Sequence, residues 1–230
     1  MLFFVGPPRH TRGTRGAKGD SMQRVRQNVD RAMLPIYERI MELYGPYVLV
    51  RCAKCTNRRR QAEDIGVFTL ITTCLLASEV PWAGEISRLI DTMVEVVKPD
   101  VVSRGRGADW WGESEELLLV DENQQRLVGA LNRLRRPLRA VVVLHHVAGV
   151  EPEELARLLD EPAAEVAARL GRGERALAKR LGVPDARGLL ARFAAGLDTA
   201  WIQEAAACAL HFLDRQARPG RPRKACPDWN

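Results

Sequence analysis

Aromatic residues are scarce in this sequence, at 6% of its 230 residues, whereas Ala, Leu and Arg are abundant. This mixture favours helices over a β-sandwich, and we predict an all-α fold. No run of residues approaches the ~20 apolar positions that a membrane-spanning helix needs. Apolar residues still make up 46% of the chain, which is enough for one large domain or two small ones to bury a core.

Cysteine usage argues against a secreted, disulfide-bonded protein. The cysteines are odd in number and irregular in spacing, which is not the pattern of a disulfide framework. The first residues lack a basic segment and carry too short an apolar run for a signal peptide. We therefore predict a cytoplasmic protein with free thiols. The five positions are Cys52, Cys55, Cys74, Cys208 and Cys226.

Signals for catalysis are also missing. The four histidines and the scattered carboxylates show no nucleophile–base arrangement, and no phosphate-binding loop is found. Cys52-x-x-Cys55 has the spacing of half a zinc site, but a structural site needs four ligands. The other candidates, His145-His146, fall in a different predicted domain. We therefore expect no enzymatic activity, no cofactor, no metal and no small-molecule substrate.

Positive charge is in slight excess, with 35 Lys and Arg against 29 Asp and Glu. This balance is compatible with a nucleic-acid partner. Both ends are basic, and we predict tails at 1–32, which should be disordered, and at 218–230. The second tail resembles an AT-hook, which predicts insertion of Arg221 into a minor groove. The alternative is a disordered tail that binds any polyanion weakly.

Between the tails, apolar residues recur at helical spacing in two groups. The first group predicts three helices, over about 33–54, 62–78 and 82–97. Gly45-Pro46 should kink or break the first helix, and Pro99 should end the third. We interpret 33–98 as a three-helix domain and 99–122 as a flexible acidic linker that joins it to the second group.

The second group predicts a four-helix domain over 123–182. Its third helix opens at Pro152, and the turn Asp160-Glu161-Pro162 leads into a longer fourth helix that ends in basic residues. This order is the pattern of a helix-turn-helix. One further amphipathic helix is predicted over 183–217. We expect this helix to pack within the molecule. The alternatives are that it binds a regulatory protein or lies on a membrane surface. Its polar face is too poor in Lys and Arg for membrane binding.

The second group also resembles a known family. Three segments occur at the spacing of that family's signature: Leu131-Asn132-Arg133-Leu134, Arg139-Ala140-Val141-Val142-Val143-Leu144 and Glu153-Glu154-Leu155-Ala156. From Val128 to Leu181 the chain resembles an extracytoplasmic-function sigma factor of the sigma-70 family. More loosely, the resemblance extends over 33–182. It implies a promoter-melting domain followed by a promoter-reading domain.

The resemblance implies partners and contact residues. Core RNA polymerase and promoter DNA are the expected partners, and an anti-sigma or other regulatory protein is allowed. Trp82 and Arg88 match the start of the helix that meets the minus-ten element. The residues implied in polymerase binding are Glu63, Asp64, Ile65, Leu131, Leu134 and Leu138.

The predicted recognition helix supplies the remaining candidates for DNA contact. Such a helix places its N-terminal residues against base edges in the major groove. The outward positions are Ala164, Glu165, Ala168, Arg169, Arg172, Arg175 and Lys179. Arg169 is suited to guanine and Glu165 to cytosine, whereas the cations further along suit phosphates. The alternative is a solvated helix face.

Several positions depart from the family's pattern. Val67 and Phe68 replace a polar pair, and Leu89 replaces an Asn. These departures keep two alternatives open: a stand-alone helix-turn-helix regulator, and a degenerate sigma-like adaptor that binds protein without recognising a promoter.

Overall fold

The computed structural model describes residues 31–77, 83–105, 117–197 and 199–217, and in these ranges it consists of α-helices with no β-strand. The all-α prediction is confirmed. A single 3-10 turn, Arg31–Met33, precedes the first helix. The helices are α1 (Leu34–Cys55), α2 (Arg59–Ala77), α3 (Ala83–Gly105), α4 (Glu122–Asn132), α5 (Arg136–His146), α6 (Pro152–Leu159), α7 (Ala163–Leu181), α8 (Arg187–Ala195) and α9 (Thr199–Ala217).

The helices α1 to α3 pack against one another and form what we call the N-terminal half. The prediction that Pro99 ends the third helix was wrong, and Gly45-Pro46 does not break the first helix. Pro46 lies inside α1, and Pro99 lies inside α3, which continues to Gly105. A proline in a helix removes one backbone hydrogen bond. Pro46 lies in the fully packed stretch of α1 from Leu43 to Cys52, where burial compensates for that loss.

The helices α4 to α8 form what we call the C-terminal half, and the ends of its first four helices follow local chemistry. Asp121 caps α4 by accepting a hydrogen bond from the backbone N–H of Asn123 at 2.8 Å. Gly149 and Gly182 both have φ of 71°, a conformation that favours glycine at helix ends. The four helices predicted over 123–182 are therefore present with nearly the predicted bounds.

The segment before α4 is attached to the N-terminal half. Asn57, between α1 and α2, accepts a hydrogen bond from the backbone N–H of Leu118 at 2.8 Å through its carbonyl. Its side chain exchanges two further hydrogen bonds with the backbone of Leu119, at 2.9 and 3.1 Å. Leu119 is buried. The end of the predicted linker is thus ordered, whereas Trp110, Trp111 and most of the linker's acidic residues lie outside the described residues.

The two halves are not separate bodies, because one cluster of buried residues runs through both. Helix α1 packs on α4 and α5, and α3 packs on α5 and α6. An ion pair at 2.6 Å between Arg39 of α1 and Glu154 of α6 lies at the edge of this contact. The helix-turn-helix is therefore fixed against the N-terminal half in this structure.

The C-terminal extension differs from the prediction of one helix over 183–217. It forms two helices, α8 and α9, with a break after Gly196. Helix α8 packs on α4 and α5, whereas α9 packs on α1 and α2. Leu190 and Phe193 of α8, and Ala209 and Leu213 of α9, are buried in these contacts. The predicted helix is thus divided into two pieces, one on each half.

In the described residues no helix is both long and apolar enough to cross a membrane.

Candidate nucleic-acid interface

The turn between α6 and α7 sets the geometry of the helix-turn-helix. Asp160 ends α6 in the left-handed conformation, with φ of 52° and ψ of 46°. Aspartate tolerates this conformation better than most residues. The backbone N–H of Glu161 then donates to the carbonyl of Ala156 at 3.0 Å, which closes the end of α6. Pro162 follows directly and precedes the first residue of α7.

Helix α7 presents one buried face and one exposed face. Val166, Leu170 and Leu177 pack inward, in the spacing of an amphipathic helix. Six of the seven positions predicted to contact DNA from this helix are exposed: Ala164, Glu165, Ala168, Arg172, Arg175 and Lys179. Apart from the neighbours Ala164 and Glu165, they recur every three or four residues, so they lie on one side of α7.

Arg169 is the seventh position, and unlike the other six it is not exposed. Its guanidinium forms an ion pair with Glu161 at 2.5 Å, and its side chain is only 20% exposed. The carboxylate holds Arg169 against the turn that precedes α7. Contact between Arg169 and a guanine therefore requires this ion pair to break first. Arg172 and Arg175 are the exposed cations nearest to it on the outer face.

Gly173 determines how closely α7 approaches α5. A Cβ atom at this position would lie 2.6 Å from Cγ2 of Val142 and 3.3 Å from the carbonyl oxygen of Leu138. By intrinsic propensity, a glycine in a helix interior weakens the helix. The structure shows instead that Gly173 is buried at the helix crossing, whereas a Cβ at Gly171 would meet only the guanidinium of Arg175, at 3.4 Å.

A buried carboxylate joins α7 to its neighbours on the inner side. Glu174 lies 2.7 Å from Nε2 of His146 on α5 and accepts a hydrogen bond from Arg187 on α8 at 2.8 Å. Burial acts to raise the pKa of Glu174, but the hydrogen bonds from Arg187 and His146 outweigh it and hold the pKa below its usual value. This cluster ties three helices together behind the exposed face.

The residues implied in polymerase binding divide into exposed and buried sets. Asp64 on α2 is exposed, and Glu63 beside it is partly exposed and paired with Arg59 at 3.0 Å. Ile65, Leu131 and Leu134 are buried in the core, and Leu138 is half-buried beside Gly173. In this conformation, a docking protein can touch Asp64 and part of Glu63, whereas the three buried residues support the fold beneath.

The remaining predicted DNA contacts are only partly described. Arg88 on α3 is exposed. Trp82 and Arg221 lie outside the described residues. Arg88 and the outer face of α7 stand on different halves.

A charged cluster that was not predicted lies between the halves. Asp91 of α3 meets Tyr47 and Arg51 of α1 and Arg139 of α5, and all three partners are buried. Burial raises the pKa of Tyr47 to about 12, so its hydroxyl stays protonated and donates to Asp91 at 3.0 Å. Arg139 stands in the family-like signature, but its partner could not be predicted because Asp91 is 48 residues away.

The cysteine pair of α1 is placed in the core. Cys52 is buried and Cys55 half-buried, and burial raises the pKa of both thiols. His145 instead bonds the carbonyl of Val150 at 2.9 Å. In the described part of the chain, no three His, Cys, Asp or Glu residues are grouped so that they could hold a metal ion.

Comparisons with protein-family models, with curated proteins and with solved structures find no match to this chain.

Proposed function

We propose that the protein is a sigma factor of the extracytoplasmic-function type, which binds core RNA polymerase and directs it to promoters. The observation that carries this proposal is the exposed outer face of α7, set on a helix-turn-helix whose inner face is fully packed. A rigid helix with one free, cation-bearing face is what major-groove reading requires. The protein itself performs no chemistry in this proposal.

The outer face of α7 divides into a reading part and an anchoring part. Ala164, Glu165 and Ala168 lie in its first turns, where base edges are met, and they offer one acceptor and two methyl groups. Arg172, Arg175 and Lys179 lie further along and suit phosphate oxygens. Direct reading of bases is therefore sparse, and tethering by polymerase must supply part of the promoter specificity.

The polymerase contact is assigned to the exposed side of α2. Asp64 is exposed there, above Ile65, Ala62 and Leu70, which are fully buried. A carboxylate on a packed helix is a fixed charge that a basic surface of a partner can recognise. The resemblance of Ala62-Glu63-Asp64-Ile65 to the polymerase-binding helix of the family supports this assignment.

A pull-down of bacterial core RNA polymerase by the full chain tests the proposal. Asp64→Lys reverses the charge at the assigned contact, and Glu38→Lys makes the same change at an exposed position of α1. We expect saturable binding that Asp64→Lys weakens at least tenfold and Glu38→Lys leaves unchanged. Absence of binding by the folded protein, or equal loss in both variants, would refute the assignment.

A second candidate is a stand-alone helix-turn-helix regulator. The continuous core between the two halves favours it, because a regulator can keep one rigid shape whereas a sigma factor must span separated promoter elements. The regulator should bind specific DNA without polymerase. The degenerate adaptor is the third candidate, and it predicts that Arg172→Glu and Arg175→Glu leave all partner binding unchanged.

A further inference from the structure

Asp91 receives donors from both halves of the molecule. From its own half, Tyr47 donates to its carboxylate at 3.0 Å, and Nε of Arg51 forms an ion pair with it at 2.7 Å. From the other half, Arg139 donates to it at 2.5 Å, and Arg136 lies 3.4 Å away. The carboxylate is thus the point at which α1, α3 and α5 meet.

Asn132, the last residue of α4, makes a second link beside the first. Its side-chain oxygen accepts a hydrogen bond from Arg51 at 2.6 Å, and its side-chain nitrogen donates to the carbonyl of Val50 at 2.7 Å. Arg51 therefore contacts Asp91 within its own half and Asn132 across the boundary. The boundary between the halves therefore contains a polar cluster beside the shared apolar core.

Each charged group in this cluster also has partners within its own half. If the halves part, Asp91 keeps Arg51 and Tyr47, because all three lie on α1 and α3. Arg139 keeps the carbonyls of Asn132 and Leu134, to which it donates at 3.2 and 3.3 Å. Separation therefore leaves Asp91 with a cation, whereas Arg139 loses its carboxylate and the Tyr47 hydroxyl, to which its Nε donates at 3.1 Å. Arg139 keeps these two carbonyls, which offset part of the cost of breaking a buried ion pair.

The C-terminal helices form a second connection across the same boundary. Helix α8 packs on the C-terminal half and α9 on the N-terminal half. Only the three residues from Gly196 to Asp198 join them, and three residues span at most about 11 Å. While α9 stays docked, the halves can swing apart only over that short distance.

We propose that the contact of Asp91 with Arg139 is a reversible latch between the two halves, and that α9 is a strap that limits how far they open. The closed form is the structure described above. In the open form each half keeps its own helices, while the buried apolar cluster that runs through both halves parts along this boundary. This inference concerns only contacts inside the chain, so it stands whether or not the protein binds RNA polymerase.

The latch is tested from both sides with the full chain. Asp91→Asn removes the charge on the N-terminal half, and Arg139→Gln removes it on the C-terminal half. Glu95→Gln is the matched control, since Glu95 also pairs with Arg51, at 3.4 Å, but is half-exposed, and both of its ion-pair partners, Arg51 and Lys54, lie on α1. Small-angle X-ray scattering gives the radius of gyration, and circular dichroism gives the helix content.

We expect both latch variants to expand while keeping their helix content. A compact chain of this length has a radius of gyration of about 17 Å, and two half-sized bodies in contact exceed it by roughly 3 Å. The control should match the parent protein. Unchanged radii in both latch variants, or loss of helix content in both, would overturn the proposal, because the cluster would then be unnecessary for closure or part of an inseparable core.

Discussion

Replacing Gly173 with alanine tests the packing that sets the distance between α7 and α5. The new Cβ would lie 2.6 Å from Cγ2 of Val142, about 1 Å inside the ordinary carbon–carbon contact distance. Val142 is fully buried and β-branched, so its side chain has little freedom to rotate away. The carbonyl oxygen of Leu138, at 3.3 Å, is backbone and cannot yield separately. Helix α7 must therefore move away from α5.

Two opposing contributions set the magnitude of this change. Alanine is better than glycine in a helix interior by about 1 kcal/mol. Overpacking a filled core costs about 1–3 kcal/mol, and the closeness of this contact places the cost near the upper limit. Gly173→Ala should therefore lower the free energy of unfolding by about 2 kcal/mol. Gly171→Ala, where the neighbour is the flexible end of Arg175, should raise it by about 1 kcal/mol.

Urea unfolding followed by circular dichroism measures both variants against the parent protein. The transition midpoints should shift in opposite directions while the slopes stay the same. If Gly173→Ala proves as stable as Gly171→Ala, then α7 does not pass α5 as closely as described. The placement of its outer face would then also need revision.

Three further predictions concern single residues. Asp160→Gly should stabilise the protein by up to about 1 kcal/mol, because glycine adopts the left-handed conformation of this position more readily than aspartate does. Asp160→Val should destabilise it, because a β-branched residue is strained there. Thermal unfolding of the two variants should show melting temperatures that shift in opposite directions. The lowered pKa of Glu174 means that its stabilising effect is present above the ordinary value of 4.5 and is lost as the pH falls through the folded value. The stability difference between the parent and Glu174→Gln should therefore shrink in acid below about pH 4.5, and a difference independent of pH would contradict the assigned bonds. Alkylation of the native protein at pH 8, mapped by mass spectrometry, should modify the exposed Cys208 far faster than the buried Cys52 and Cys74, and equal rates would contradict their burial.

Local patterns predicted much of the fold. The helices α4 to α7 could be predicted because apolar spacing agrees with local signals at several of their ends, such as Asp121 before α4 and Gly182 after α7. Tertiary packing outweighs local preference at Pro46, whereas Pro99 is exposed and has no such explanation. Pro46 and Pro99 both lie inside helices, and the residues around Pro46 are buried. A rule based on local sequence cannot predict that burial compensates for the hydrogen bond lost at Pro46.

The candidate site was predictable only on its exposed side. The spacing of Arg172, Arg175 and Lys179 placed them on one face, and the structure agrees. The ion pair of Arg169 with Glu161, and the meeting of Asp91 with Arg139, depend on how elements distant in the chain come together. Sequence periodicity contains no information about such pairs.

The break between α8 and α9 has the same origin. The apolar stripe from Leu190 to Phe212 continues across Gly196, so periodicity favours one helix. Two different surfaces, one on each half, receive the two pieces. Only the assembled molecule shows that the stripe is shared between them.

The central claim is that this chain reads promoters together with RNA polymerase, and capture of DNA from sheared bacterial genomic fragments tests it most directly. The protein alone, core polymerase alone and the two together are compared by sequencing the retained fragments. We predict a shared set of sites that is enriched only by the combination and lost with Arg172→Glu and Arg175→Glu. Enrichment of the same set by the protein alone, or no enrichment by the combination, would contradict the account.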